Sequence, residues 1–236
     1  MKKLFLIFIL LANLILCGCV AQKVPGKHGF YSTKSPALTI QFNGLEYQGE
    51  YKENKSKASV HTYFYSDREG NNGAWVEIIN MRQGWTVRPK QVPGDKLPNT
   101  GIYTRKIAGE SYYCRTFLVP PDSGKSGLAS QPGYTAVRIC NKLISPAQKI
   151  SIGYAGKVDP ALTKKLFSST NYGGLTQAQK DFFTAFDKRA DTVLIMDKYQ
   201  QGDVEEKIEN AVILEDPWYT FTDFLPLNRQ IDKIVR

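Results

Sequence analysis

Histidine and cysteine, which supply much of the chemistry at protein sites, are scarce here: 2 histidines and 4 cysteines in 236 residues. With only His28 and His61, and no Cys-rich or His-rich spacing, a structural zinc site has no ligands. No serine stands in a Gly-x-Ser-x-Gly elbow and no Ser-x-x-Lys occurs, so both locally legible serine-nucleophile patterns are missing. Gly124-Lys125-Ser126 ends like a phosphate-binding loop, but Val119 occupies the place of its first glycine and no helical pattern follows. Past the N-terminal segment no apolar run approaches the ~20 residues needed to cross a bilayer. Internal repeats and low-complexity blocks are also absent. No cofactor is expected from this inventory. A Ser-His-Asp site assembled from distant positions stays open, and it would have to use His61.

The N-terminus carries a clear pattern. Lys2 and Lys3 form a positive start, Leu4 to Leu16 an apolar stretch of signal-peptide length, and Leu16-Cys17-Gly18-Cys19 closes it. A leucine three residues before a cysteine and a small residue directly before it resemble the lipobox of bacterial lipoproteins, with Cys17 the departure from its commonest form. That resemblance implies export, removal of residues 1–18 and acylation of Cys19, so that membrane lipid becomes a partner through the modified thiol. Val20 rather than Asp after Cys19 resembles lipoproteins released to the outer membrane of Gram-negative bacteria, on its periplasmic side; a Gram-positive cell surface is the alternative. Residues 19–36 mix Lys, Gly, Pro, Ser and Thr without periodicity and are expected to be a flexible tether. Residues 37–236 are expected to form a single domain.

Within that domain, alternation in Leu38-Thr39-Ile40-Gln41-Phe42 predicts a half-buried strand. Aromatic and β-branched runs at 46–52, 59–65, 74–81 and 84–87 extend it into an antiparallel meander, and further strands are expected at 102–107, 111–119, 134–143 and 149–155. If the runs 111–119 and 134–143 pair as a hairpin centred near Gly127, Cys114 faces Cys140 and Phe117 faces Val137 on the other side of the sheet. Directly opposed cysteines have the Cβ separation a disulfide needs, so a Cys114–Cys140 bridge is predicted. Asp159-Pro160 is a helix start, and Thr176-Gln177-Ala178-Gln179 resembles a capping box before an apolar stripe of Phe182, Phe183, Phe186, Ala190, Val193 and Leu194. Residues 211–214 could add a strand, and Leu227, Ile231, Ile234 and Val235 fit a short terminal helix. Strands first and helices later predict an α+β domain, its C-terminal helices packed on one face of an antiparallel sheet.

Charge is unevenly distributed. Residues 82–165 hold 14 basic and 4 acidic side chains, whereas residues 166–236 hold 8 basic and 12 acidic. Either the basic region faces anionic envelope components or the acidic segment packs beside it and neutralises it. Asp181, Asp187 and Asp191 read as solubilising charges on a helix. Asp203, Glu205, Glu206 and Glu209 read as a solvated run without the spacing of a calcium loop. Aromatic residues concentrate in the meander, and Tyr63, Tyr65, Trp75 and Trp85 are candidates for an exposed binding surface, whereas Trp218, Tyr219, Phe221 and Phe224 read as packing. These features favour a non-catalytic binding or scaffolding domain that engages an envelope protein or an anionic glycan, with no nucleic-acid partner. The competing expectation is an envelope hydrolase using His61 or acidic residues.

Overall fold

The structure, a computed structural model, describes residues 23–88, 92, 94, 97–119, 134–167, 174–203, 208 and 211–214. Cys19, Gly127, the 205–209 acidic run, the Trp218 group and the expected terminal helix lie outside these residues.

Two antiparallel sheets and two helices make up the described fold. The smaller sheet contains β1 (Lys23–Pro25), β2 (Gly29–Ser32), β3 (Leu38–Phe42) and β11 (Leu194–Asp197), in that spatial order. The larger contains β4 (Glu46–Asn54), β5 (Ala58–Ser66), β6 (Asn72–Met81), β7 (Tyr103–Ile107), β8 (Glu110–Val119), β9 (Tyr134–Ser145) and β10 (Gln148–Val158). Its spatial order is β4-β5-β6-β10-β9-β8-β7, so the chain crosses from the middle of the sheet to the far edge after β6 and works back inward. The sheet is therefore two antiparallel runs joined between β6 and β10, rather than one continuous meander. Helices α1 (Pro160–Phe167) and α2 (Gln177–Val193) follow, and α2 runs directly into β11.

Local signals placed several of these elements. The Asp159 carboxylate accepts from Ala161 N at 2.8 Å at the start of α1. Thr176 and Gln179 form the reciprocal capping box of α2, with Thr176 N donating to Gln179 Oε1 at 2.9 Å. In the β8–β9 pair Cys114 stands opposite Cys140 and Phe117 opposite Val137, and the two cysteines form a disulfide.

Three expectations need correction. The segment from Lys23 is not a tether: β1 and β2 pair with each other and β2 with β3, and Phe30 and Tyr31 are buried. Its composition concealed short strands whose stability comes from long-range pairing, not from local periodicity. Residues 84–87 are no strand. Gly84 adopts a left-handed φ of 86° and Trp85 N donates to Arg82 O at 3.1 Å, which makes a turn. Leu194 leaves the helical stripe to begin β11, where it lies opposite Phe42. Residues 211–214 contribute a single bridge, Ile213 with Glu50, beside β4.

The larger sheet is buried on both faces. One face contributes Tyr63, Tyr65, Val76, Ile78, Cys140 and Tyr154 to a core shared with Phe30, Ile40 and Phe42 of the small sheet and Phe183, Phe186 and Ala190 of α2. The opposite face contributes Phe64, Trp75, Ile79, Phe117 and Val137 to a second core, joined by Val92 and, less buried, Leu97 and Leu214. Gly153 shows how tight this second layer is. It faces Trp75 directly, and a Cβ there would lie 2.0 Å from the indole. Burying both faces at about 25 cal/mol per Å² of apolar area is a large driving force, and it removes any solvent face from the central strands.

Candidate functional site

That two-sided burial decides the fate of the aromatic candidates. Tyr63, Tyr65 and Trp75 are core residues, with Tyr65 wholly inaccessible, and only Trp85, 42% exposed, reaches solvent. Tyr65 stacks on Phe42 at 3.9 Å between centroids and its hydroxyl donates to Gly29 O at 2.8 Å, tying the sheets together. The expected aromatic binding surface is thus reduced to one indole. Alternation correctly set Phe64 on the face opposite Tyr63 and Tyr65, but both faces are covered.

His61 occupies the centre of a small polar constellation at the β4–β5 edge. Its Nε2 lies 3.0 Å from Glu50 Oε2 and its Nδ1 3.1 Å from the Tyr63 hydroxyl, while the Lys52 ammonium pairs with the other Glu50 oxygen. Register creates the cluster, because Glu50 stands opposite Tyr63 and Lys52 opposite His61. Burial holds the imidazole below its free value of 6.5 against the opposing pull of Glu50. For Glu50 burial pushes upward, but hydrogen bonds from Lys52 and His61 outweigh it and the carboxyl stays below its usual 4.5. A neutral His61 consistent with these shifts donates from Nε2 to Glu50 and accepts from Tyr63 at Nδ1. The relay ends at a buried phenol packed against Phe30 at 5.1 Å between centroids, with its own pKa pushed up by burial. It therefore orients Tyr63 and offers neither ring nitrogen to a serine nucleophile.

A second polar cluster fastens α2 to the sheet. Thr116 Oγ1 and Tyr103 OH donate to the Asp187 carboxylate at 2.6 and 3.1 Å. Arg138 Nη1 donates to Asp187 O at 2.9 Å and to Asp191 Oδ1 at 2.6 Å, and Arg105 reaches the same Asp191 oxygen at 2.6 Å. Arg138 is only 1% exposed. Asp187 and Asp191 are one helical turn apart, so both carboxylates project from one side of α2. They are anchors rather than solubilising charges, and the arginine partners of Asp191 come from the basic central region. Burial raises the Asp187 pKa despite those donors. Asp181 matches its expected role more closely, being exposed and accepting from Gln177 Nε2 at 2.8 Å.

Sequence inspection did not single out Glu77 and Lys149. Both are buried on the second-core face, where Glu77 lies between Thr62 and Ser151 in register. Burial raises the Glu77 pKa and lowers that of Lys149, each partly offset by the other's charge. Among the described residues Glu77 Oε2 and Thr62 Oγ1 have no hydrogen-bond partner. A glutamate inside the run Ala-Trp-Val-Glu-Ile-Ile was the available signal, once that run is read as a strand covered on both sides.

Among the described residues no group of three or more His, Cys, Asp or Glu side chains has the arrangement to hold a metal. An open hollow of about 560 Å³ lies over Thr39, Gln41, Ile195 and Asp197 on the small sheet, away from His61. One wall is built by Asp203, which accepts from Thr39 Oγ1 at 2.8 Å and Gln200 N at 2.7 Å. No protein-family model, curated protein or solved structure matches the chain.

Proposed function

We propose that this protein is a lipid-anchored extracytoplasmic domain that binds or scaffolds an envelope component and does not catalyse a reaction. Acylated Cys19 holds it at the periplasmic side of a bacterial outer membrane, a Gram-positive cell surface being the alternative, and its partner is an envelope protein or an anionic glycan. The observation that carries the non-catalytic reading is the engagement of both nitrogens of the half-buried His61 by Glu50 and the buried Tyr63. The Cys114–Cys140 bridge supports an oxidising compartment. Its 26-residue separation contributes about 3 kcal/mol by loop closure. The layered form, with both helices on one face of the large sheet, belongs to the same reading; the α2 anchors and the Phe186–Tyr154 ring contact support it.

An alkyne fatty acid fed to expressing cells is expected to label the chain and not its Cys19→Ser variant. Cross-linking in the native membrane should then capture a reproducible protein or glycan. Label remaining on Cys19→Ser overturns the anchoring, and reproducible absence of a partner overturns the binding role. The hydrolase reading has the Glu50–His61 contact in its favour. Ester or amide hydrolysis lost in His61→Gln but retained in Trp85→Ala would replace the proposal with it.

A further inference from the structure

Three hairpin and turn segments meet at one end of the large sheet: 55–57 between β4 and β5, 82–88 after β6, and 145–147 between β9 and β10. Backbone hydrogen bonds lock them together, with Arg82 N donating to Lys57 O at 2.9 Å, Met81 N to Ala147 O at 2.6 Å and Val87 N to Pro146 O at 2.8 Å. These segments contain Lys55, Lys57, Arg82 and Arg88 and no Asp or Glu. Arg82 and Arg88 are exposed, and so is Trp85, with Lys57 Nζ 4.1 Å from its ring centroid. Lys55 pairs with Glu53 at 3.3 Å. The turn 67–71 at the opposite end of the strands instead carries Asp67 and Glu69 with Arg68.

The chain's reach keeps a domain anchored at Cys19 close to the bilayer, and charge singles out this end. Because β1 begins at Lys23, four residues beyond Cys19, the folded domain can stand at most ~14 Å from an acyl anchor at Cys19. The start of β1 is also tied down, since the Lys23 ammonium donates to Lys34 O at 2.6 Å and Ser35 O at 3.1 Å. A domain held so closely has its surface within reach of the headgroup region. With Lys55 paired to Glu53, and Glu110 of the β7–β8 turn at this end paired to Lys142 at 3.0 Å, Lys57, Arg82 and Arg88 stand beside an exposed indole, the combination that suits an anionic lipid–water interface.

We infer that the Trp85 end of the large sheet docks on anionic phospholipid headgroups, with Trp85 at the interface and Lys57, Arg82 and Arg88 facing the phosphates. The reach argument rests on the acylation of Cys19; the charge argument does not. The test uses the full protein on vesicles of phosphatidylcholine, with and without phosphatidylglycerol, whose acyl chains carry bromine near the headgroup. Quenching of Trp85 is read as the difference between the wild-type protein and Trp85→Phe. Expected is Trp85 quenching only where phosphatidylglycerol is present, abolished by high salt. Each of Lys57→Gln, Arg82→Gln and Arg88→Gln should shift the docking equilibrium about fivefold while leaving the melting temperature unchanged.

Quenching independent of phosphatidylglycerol, or unmoved by the three substitutions, overturns the inference. So does protection of Trp85 by a soluble anionic polysaccharide but not by vesicles, which assigns the end to a glycan. Failure of the chain to stay on pure phosphatidylcholine vesicles counts against acylation alone. In that case phosphatidylglycerol-dependent binding, weakened by the same three substitutions, still supports the docking surface, and its absence overturns it.

Discussion

At the scale of single residues, two polar sites show how burial sets behaviour. His61 and Glu50 both titrate below their free values in the folded chain. A depressed folded pKa means the unfolded chain binds the proton more tightly, so each group's stabilisation is present above its free value and is lost as pH falls. Thermal melting should therefore decline below pH 6.5 through His61 and again below 4.5 through Glu50. The His61→Gln variant should lose the first decline and keep the second. Subtracting that variant's melting curve isolates His61 from Asp187, whose raised pKa works in the opposite sense by favouring the folded state on acidification. Glu77 and Lys149 pose a different problem, since desolvation of two charges costs more than an imperfect pairing returns. Lys149→Met alone should lower stability in urea unfolding because it removes the charge that offsets the burial of Glu77, whereas Lys149→Met with Glu77→Leu should be neutral or stabilising.

Elements were legible wherever local chemistry specified them. The Thr176–Gln179 box, the Asp159 cap and the Cys114–Cys140 register follow from short-range patterns, and each is present in the fold. Strands β1, β2 and β11 were not legible, because four residues or fewer carry no usable period and are stabilised by neighbours far along the chain. The position of α2 was half visible. Its apolar stripe predicted a packed face, but Asp187 and Asp191 looked like solvated charges until β7, β8 and β9 brought Arg105, Thr116 and Arg138 to them. Removing the buried member of this latch should detach the helix from the sheet. Arg138→Met is expected to cost about 3 kcal/mol and to raise amide exchange along α2 before the central strands open. A double-mutant cycle with Asp191→Ala, whose carboxylate Arg138 bonds at 2.6 Å, should show coupling, and additive effects would refute the latch.

For the whole molecule, the charge imbalance along the chain is resolved in space. Part of the basic central region is neutralised by Asp191, which the acidic C-terminal region supplies through α2, while Arg82 and Arg88 remain at the exposed end of the large sheet. Under the proposed acylation of Cys19, the short distance in chain to β1 keeps the domain near the bilayer. Inserting a flexible Gly-Ser segment of about 20 residues before Lys23 lengthens the reach to several tens of ångströms. It should weaken the docking of Trp85 on phosphatidylglycerol vesicles while leaving acylation and melting unchanged. The sequence by itself determined the alternating strands, the helix caps and the register that pairs Cys114 with Cys140, because each depends on residues near one another or on one hairpin. Only the tertiary structure decided which faces see water. Covering the large sheet on both sides buried Tyr63, Tyr65 and Trp75 and left Trp85 exposed, since exposure depends on what packs from elsewhere in the chain and not on strand periodicity.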